Sequence, residues 1–109
     1  ISRVAIDEAI KNYPAGAFRV LNYEYEHVQQ RYHAVIFNET LYYFDHAGKT
    51  LQKCCKDNLL PGGVIIISMC DHERHDLIWK LIDANYKVLA TRKSVNDEGI
   101  SWTIKVLQP

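Results

Sequence analysis

The side chains that could do chemistry fall into three clusters along the sequence. A carboxylate such as Glu39 can take a proton from a hydroxyl or an amine, and neighbouring tyrosine rings suit a cationic ligand. Amide and imidazole groups add hydrogen-bond donors and acceptors. The clusters are Asn22-Tyr23, then Asn38-Glu39-Thr40 with Tyr42-Tyr43, and then Cys70-Asp71-His72 with His75. We expect any ligand site to be built from these residues.

A pair of histidines in the third cluster has a spacing that could hold a metal ion. His72 and His75 are three residues apart, one helical turn, so both imidazoles could bind one ion with Cys70 or Asp71 as a third ligand. A stable site commits three or four ligands, and the adjoining sequence has no second ligand group. The other interpretations are exposed residues at a helix start and histidines of a substrate loop. We therefore assign no metal ligand, and a metal-dependent enzyme using the pair remains an alternative.

Hydrophobic periodicity predicts the elements that position these clusters. Apolar residues at helical spacing predict helices, whereas short apolar runs with polar ends predict strands buried on both faces. The predicted helices cover residues 2–13, 24–31, 48–60 and 76–85, and the predicted strands cover residues 18–23, 33–38, 64–69, 86–93 and 100–107. Ser2 is the expected N-cap of the first helix, and Pro14 ends it.

The alternation of strands and helices predicts one α/β domain over residues 1–109. We expect a mostly parallel sheet with an antiparallel hairpin at the C-terminus and helices on both faces. In such sheets ligands bind at the carboxyl ends of the parallel strands, and all three clusters follow a predicted strand. The fold therefore predicts that the clusters meet at one edge.

Charge and composition exclude several classes of partner. The chain has 13 basic and 13 acidic side chains and a net charge of +0, so we expect no nucleic-acid partner. No apolar run approaches the ~20 residues of a membrane helix, so we expect no membrane partner. The 3 cysteines include an adjacent pair, which argues against a disulfide framework and favours the cytoplasm.

Four segments in order resemble the class I S-adenosylmethionine-dependent methyltransferases that act on small molecules. ISRVAIDEA is similar to the segment after the family's second strand, and AVIFNETLYYF resembles its fourth strand and the following turn. LLPGGVIIIS resembles the start of its fifth strand, and NYKVLATRKSV with SWTIKVLQP its terminal antiparallel pair. The resemblance implies a partial Rossmann-like sheet, the C-terminal two-thirds of the family's domain.

The resemblance implies S-adenosylmethionine as the cofactor and three residues that bind it. Asn22 occupies the place of an Asp that faces the adenine amino group, and Tyr23 would offer its backbone N–H and its ring. Asn38 ends the strand at which the family contacts the methionyl part. The alternative for Asn22 is a residue that closes a turn, and Tyr23 is otherwise an ordinary half-buried aromatic.

The resemblance also implies residues that face a small-molecule methyl acceptor. Glu39 and Tyr43 are the expected catalytic residues, because methyl transfer needs alignment and, for a protonated nucleophile, a base. Tyr42, His72 and His75 are the expected substrate-binding residues. The alternative for the Glu39 to Tyr43 segment is a helix N-cap followed by core aromatics. The nucleophile is nitrogen or oxygen.

One element of the family's pattern is not matched. The glycine-rich turn after the first strand, and the acidic residue that ends the second, would lie upstream of Ile1. Gly62-Gly63 precedes a strand instead of following one, so it cannot serve as that turn. We therefore expect a missing N-terminal segment or a homodimer, and little or no activity from this chain alone. A noncatalytic module that dimerises through unpaired strands is the other alternative.

Overall fold

The elements follow one another in an order that alternates helices and strands. The structure, a computed structural model, describes residues 2–109. Short 3-10 turns at Leu41–Tyr43 and Glu73–His75 follow the first two strands, and a π-helical turn at Cys54–Asn58 continues the second helix. The helices are α1 (Arg3–Asn12), α2 (Ala47–Lys53) and α3 (Asp76–Asn85), and the strands are β1 (Tyr32–Asn38), β2 (Leu59–Cys70), β3 (Lys87–Val95) and β4 (Ser101–Gln108).

The four strands form one mixed sheet in the order β1-β2-β4-β3. β1 and β2 are parallel, whereas β4 is antiparallel to both of its neighbours, β2 and β3. Three strands therefore run in one direction, but two of the three pairings are antiparallel because the returning strand β4 lies between β2 and β3. The α/β class and the C-terminal hairpin are confirmed, and the sheet is mixed, with β4 as the antiparallel strand next to one edge.

One face of the sheet carries the hydrophobic core. Alternate residues of β2 are fully buried, among them Ile65, Ile67 and Met69, and they pack with Leu51 of α2 and Ile82 of α3. The residues between them on β2 are only partly buried. The expectation of helices on both faces is wrong for residues 2–109, because α1 buries none of its side chains. None of the helices in this part of the chain is long and apolar enough to cross a membrane.

Residues 18–23 do not form the predicted strand. The segment runs alongside β1 but is separated from it by two clefts, and Tyr23 and Val35 line both of them. Strand hydrogen bonds need a neighbouring backbone about 5 Å away, and a cleft occupies that place here. The outer edge of β1 is therefore unpaired within residues 2–109.

Residues 24–31 do not form the predicted helix. The backbone N–H groups of Tyr25 and Glu26 both donate to the carbonyl of Asn22, which makes a single turn. The carbonyls of Val28 and Gln30 accept hydrogen bonds of 2.6 and 2.9 Å from the amide of Asn58. Peptide groups that a helix would pair internally are thus bound to another part of the chain.

The Pro-Gly-Gly run lies inside β2 and does not precede it. Tyr32 of β1 pairs with Leu59 and Ala34 pairs with Val64, so residues 60–63 bulge out of the ladder. Gly62 has a φ of 77°, a left-handed conformation that glycine adopts without the steric cost of a side chain. The predicted helix at 76–85 and the hairpin are confirmed.

Candidate functional site

Glu39 joins the carboxyl ends of β1 and β2. Its backbone N–H donates to the carbonyl of Ser68 at 3.0 Å. Its Oε1 accepts a 2.8 Å hydrogen bond from the backbone N–H of Cys70, and Oε2 accepts one of 3.0 Å from the hydroxyl of Ser68. A φ of 50° turns the side chain back over β2. Both carboxylate oxygens therefore already have partners.

Asn38 is tied to the same serine. The Ser68 hydroxyl lies 2.7 Å from Oδ1 of Asn38, and its single proton is shared between this oxygen and the carboxylate of Glu39. Neither Asn38 nor Glu39 lines the two clefts that residues 2–109 form beside them. Asn38, Glu39 and Ser68 thus form one hydrogen-bonded group at the ends of β1 and β2. The two clefts large enough for a ligand lie on either side of the turn that follows β1, Leu41–Tyr43.

The larger cleft, along the outer edge of β1, has a volume of about 630 Å³, within the range of small-molecule sites. It brings together three of the predicted site residues, Asn22, Tyr23 and Tyr43. Its lining is otherwise mainly apolar. The remaining lining residues are Leu21, Val35, Ile36, Phe37, Thr40 and Phe44.

Two side chains from the second helical segment hold the loop that carries Asn22 and Tyr23. Lys53 donates through Nζ to the carbonyls of Tyr23 and Glu26, each at 2.5 Å. Asn58 accepts a 2.6 Å hydrogen bond from the Tyr23 hydroxyl. Burial raises the pKa of Tyr23 well above its usual value, so this hydroxyl keeps its proton and its structural role.

Asn22 and Tyr23 offer different groups to the larger cleft. The backbone N–H of Asn22 donates to Glu26 Oε2 at 2.6 Å, while its side-chain amide makes no hydrogen bond with residues 2–109. The Tyr23 ring packs against Phe37, with centroids 5.9 Å apart, and lies 4.4 Å from the Lys53 ammonium. Asn22 therefore has a free amide, whereas Tyr23 serves chiefly as a wall.

The smaller cleft, between the two 3-10 turns, has a volume of about 450 Å³. It brings together Tyr42, His72 and His75, the three predicted substrate-binding residues. Tyr43, which is 76% exposed, lines this cleft as well as the larger one. The other lining residues are Cys70, Arg74 and Ile78.

Aromatic stacking fixes one wall of the smaller cleft. The Tyr42 ring stacks on the His75 imidazole with centroids 4.2 Å apart and planes at 17°. Burial raises the pKa of Tyr42 to about 12, with contributions from the Tyr43 hydroxyl and the Glu39 charge. Tyr42 is therefore protonated at neutral pH and is not a base there.

The two imidazoles of the cleft have backbone partners of opposite kind. His75 Nδ1 lies 2.7 Å from the carbonyl oxygen of Cys70, which can only accept, so Nδ1 carries the proton. His72 Nδ1 accepts a 3.1 Å hydrogen bond from the backbone N–H of Arg74. In the neutral rings, Nε2 is consequently an acceptor on His75 and a donor on His72.

Asp71 does not line the smaller cleft, and residues of the hairpin bind its carboxylate. Its carboxylate accepts hydrogen bonds from Ser101 at 2.5 Å, Thr103 at 2.6 Å and Lys93 at 3.1 Å. The two hydroxyls, followed by the ammonium, lower the pKa of Asp71 to about 2. Within residues 2–109, no group of three or more His, Cys, Asp or Glu side chains is arranged to hold a metal ion.

Several residues that shape the site were not predicted from the sequence. Arg74 lines the smaller cleft, and Ser68, Lys53 and Asn58 orient the site residues through hydrogen bonds. Arg74 was open to prediction because it lies between His72 and His75. The others bond to partners about thirty residues away, and no local pattern marks them.

Comparisons with known proteins identify no family for this chain. No protein-family profile matches it, and no curated protein matches it significantly.

Proposed function

We propose that the chain serves S-adenosylmethionine-dependent methyl transfer to a small molecule. The observation that carries the proposal is the position of Tyr43, which lines both clefts. The larger cleft contains Asn22 and Tyr23, the residues that the resemblance assigns to the cofactor. The smaller one contains the residues assigned to the substrate. A donor and an acceptor in adjoining clefts could meet at Tyr43.

The strand order supports the resemblance that suggested this function. The four similar segments imply two neighbouring parallel strands followed by a terminal antiparallel pair. β1 and β2 are parallel neighbours, and β3 and β4 form the antiparallel pair next to them. The clusters at the ends of β1 and β2 adjoin the two clefts, in keeping with the rule that ligands bind at the carboxyl ends of parallel strands.

The larger cleft fits the adenosine part of the cofactor. Asn22 has an unpaired side-chain amide that can accept from, or donate to, an adenine edge. Phe44 and Tyr43 add aromatic surface for a flat base. When bound, the cofactor supplies an electrophilic methyl group on a sulfonium centre.

The residues of the chain would mainly align the reactants. Glu39 holds the ends of β1 and β2 together and fixes the backbone of Cys70, which lines the acceptor cleft. Asn38, bound through its side chain to Ser68, would fix the end of β1 beside the methionyl part, although it lines neither cleft itself. Tyr43 separates the two clefts and would orient the nucleophile. Such alignment contributes strongly to displacement reactions.

We expect the 109-residue chain by itself to bind the cofactor weakly. The glycine-rich turn of the family has no counterpart in this sequence. Each lost hydrogen bond costs about 1–3 kcal/mol, so losing a few lowers affinity by orders of magnitude.

The first experiment is a calorimetric titration of the chain with S-adenosylhomocysteine. One-to-one binding that is weakened about tenfold by Asn22→Ala supports the proposal, because the loss of one hydrogen bond from the Asn22 amide lowers affinity by about that factor. Asn12→Ala, at the exposed end of α1, is the matched control and should bind like the unmodified chain. Absence of binding to a folded chain, or equal loss in both variants, contradicts the proposal for this chain.

A second candidate function is a noncatalytic module that dimerises through β1. The observation in its favour is the unpaired outer edge of β1 within residues 2–109, together with Ile36, which is 63% exposed. Unpaired edges readily add a strand from another chain. Sedimentation equilibrium tests this function: a concentration-dependent dimer that Ile36→Lys abolishes supports it, and a monomer at micromolar concentration excludes it.

A further inference from the structure

The polar groups of the smaller cleft form a matched donor and acceptor set. His72 Nε2 is a donor because its Nδ1 accepts from the Arg74 backbone. His75 Nε2 is an acceptor because its Nδ1 donates to the Cys70 carbonyl. The ring centroids are 5.6 Å apart and both rings line the cleft, so one small ligand can contact both imidazoles. A ligand that satisfies them must itself carry an acceptor and a donor.

The charge around the cleft favours an anionic acceptor group. Arg74 lines the cleft, and its guanidinium makes no ion pair with residues 2–109. No carboxylate of the described chain lines it. The carboxylate of Glu39 is bound by Ser68 and Cys70, and that of Asp71 is bound by residues of the hairpin. A planar guanidinium beside an N–H donor is the usual recognition of a carboxylate.

The donor group of the ligand is better a hydroxyl than an amine. A protonated amine would place a positive charge beside Arg74 and two imidazoles, with no carboxylate lining the cleft to offset it. A hydroxyl brings a neutral donor to His75 Nε2. The ring of His75 is held in place on its other side by the stack on Tyr42, so its lone pair has a defined direction.

We propose that the smaller cleft binds a small hydroxycarboxylate. The carboxylate lies on Arg74 and His72, and the hydroxyl donates a hydrogen bond to Nε2 of His75. The aromatic rings of Tyr42 and Tyr43, with Ile78, form the apolar part of the site. The inference rests on the proposed function only in naming this hydroxyl as the group that would be methylated: its oxygen would take the methyl group as S-adenosylhomocysteine leaves, and its proton would pass to Nε2 of His75. The binding itself needs no cofactor.

The experiment is an NMR titration of the isotope-labelled 109-residue chain without cofactor. The probes are 4-hydroxybenzoate, phenol and tyramine, which share a phenolic hydroxyl and differ in carrying an anion, no charge or a cation. We expect 4-hydroxybenzoate to bind at least about tenfold more tightly than the other two, because only it pairs with the guanidinium. Its binding should shift the side-chain resonances of His72 and His75.

Three variants separate recognition from folding. Arg74→Gln should remove the preference for 4-hydroxybenzoate over phenol, and Arg74→Lys should restore part of it, because Arg74 uses only its backbone N–H in the fold. His75→Gln loses the hydrogen bond to the Cys70 carbonyl. Its titration is interpreted only if its circular dichroism spectrum matches that of the unmodified chain. Equal affinity for the three probes, or shifts at Tyr23 and Phe44 of the larger cleft instead, overturns the inference.

The same samples distinguish this inference from the proposed function. Titration with S-adenosylhomocysteine reports on the larger cleft and on Asn22, whereas the phenolic probes report on the smaller cleft. Hydroxybenzoate binding without nucleoside binding would uphold the inference and defeat methyl transfer by this chain. Nucleoside binding with no preference among the three probes would do the reverse.

Discussion

The imidazole rings of His72 and His75 lie 5.6 Å apart, and backbone groups of opposite kind orient them. A backbone N–H points at His72, and a backbone carbonyl accepts from His75. The turn between them, Glu73–His75, brings both rings to one cleft while giving them complementary hydrogen-bonding roles. Two residues of one type therefore offer two different groups to a ligand.

This relationship predicts the tautomers of the two histidines. At a pH where both rings are neutral, long-range proton–nitrogen NMR correlations should find the proton on Nδ1 of His75 and on Nε2 of His72. His75→Asn should leave the His72 tautomer unchanged, since that tautomer depends on the Arg74 backbone alone. A His75 ring protonated at Nε2 would contradict the assignment and remove the acceptor from the cleft.

The left-handed backbone of Glu39 predicts that its glycine variant is more stable than its alanine variant. Glu39→Ala loses the bonds to Cys70 and Ser68 and keeps a β-carbon at a φ of 50°. Glu39→Gly loses the same bonds but relieves the left-handed strain, so it should be about 1 kcal/mol more stable than the alanine variant. Chemical denaturation measures both.

Glu39→Gln completes the series. It retains an acceptor for the Cys70 backbone N–H, so it should be more stable than Glu39→Ala by about 1 kcal/mol. An alanine variant more stable than the glycine variant would show that the left-handed conformation of residue 39 costs nothing. The series also tests the role proposed for Glu39, because a purely positioning residue tolerates the neutral amide.

The fold was predictable where each element carries its own pattern. α3 ends at the predicted residue, and the hairpin follows from two apolar runs around a glycine turn. Residues 18–23 have an equally good strand pattern, but they do not pair with any strand of residues 2–109. Residues 24–31 bond to Asn58 and Lys53 instead of to themselves. Pairing partners, not local propensity, decided both segments.

The grouping of the site was predictable and the orientation of its groups was not. The strand-end rule anticipated that Tyr42, His72 and His75 would meet, and they line one cleft. The direction of the Glu39 carboxylate depends on a φ of 50°, which no sequence pattern indicates. That backbone angle turns the carboxylate of the predicted base to Ser68 and Cys70, whereas His75 lines the cleft.

Asn58 is predicted to be a main determinant of the loop that carries Asn22 and Tyr23. It is 2% exposed, donates to the carbonyls of Val28 and Gln30, and accepts from the Tyr23 hydroxyl. Asn58→Ala leaves these groups without partners, so we expect about 2–3 kcal/mol of lost unfolding free energy. Chemical denaturation followed by fluorescence gives the value.

Tyr23→Phe is the matched control for Asn58. It removes only the hydrogen bond to Oδ1, so it should cost about 1 kcal/mol. The double variant should cost less than the sum of the two, because both singles break the same bond. Full additivity would mean that the Tyr23 hydroxyl and Asn58 act independently and would contradict a stabilising hydrogen bond between them.

The lowered pKa of Asp71 predicts how the free energy of unfolding changes in acid. Its pKa is lowered from 3.8 to about 2 in the folded chain, chiefly by hydrogen bonds from Ser101 and Thr103 and also by Lys93. A carboxylate whose pKa is lower in the folded chain than in the unfolded chain stabilises the fold at pH values above the unfolded pKa. This stabilisation is therefore complete above about pH 4 and is lost as the pH falls towards 2. Solvent screens the exposed carboxylate, so we expect about 1 kcal/mol.

The measurement is the unfolding free energy of the unmodified chain and of Asp71→Asn from pH 6 to pH 2. The variant should be less stable by about 1 kcal/mol at pH 6. The difference should shrink as the pH falls towards 2, where the unfolded carboxylate is protonated and the folded one is about half protonated. Asp97→Asn, in the exposed turn of the hairpin, is the control for removing a carboxylate. A constant difference across this range would mean that the hydroxyls bind the protonated and ionised forms of Asp71 equally well. The junction between β2 and the hairpin would then owe its stability to packing and not to the charge of Asp71.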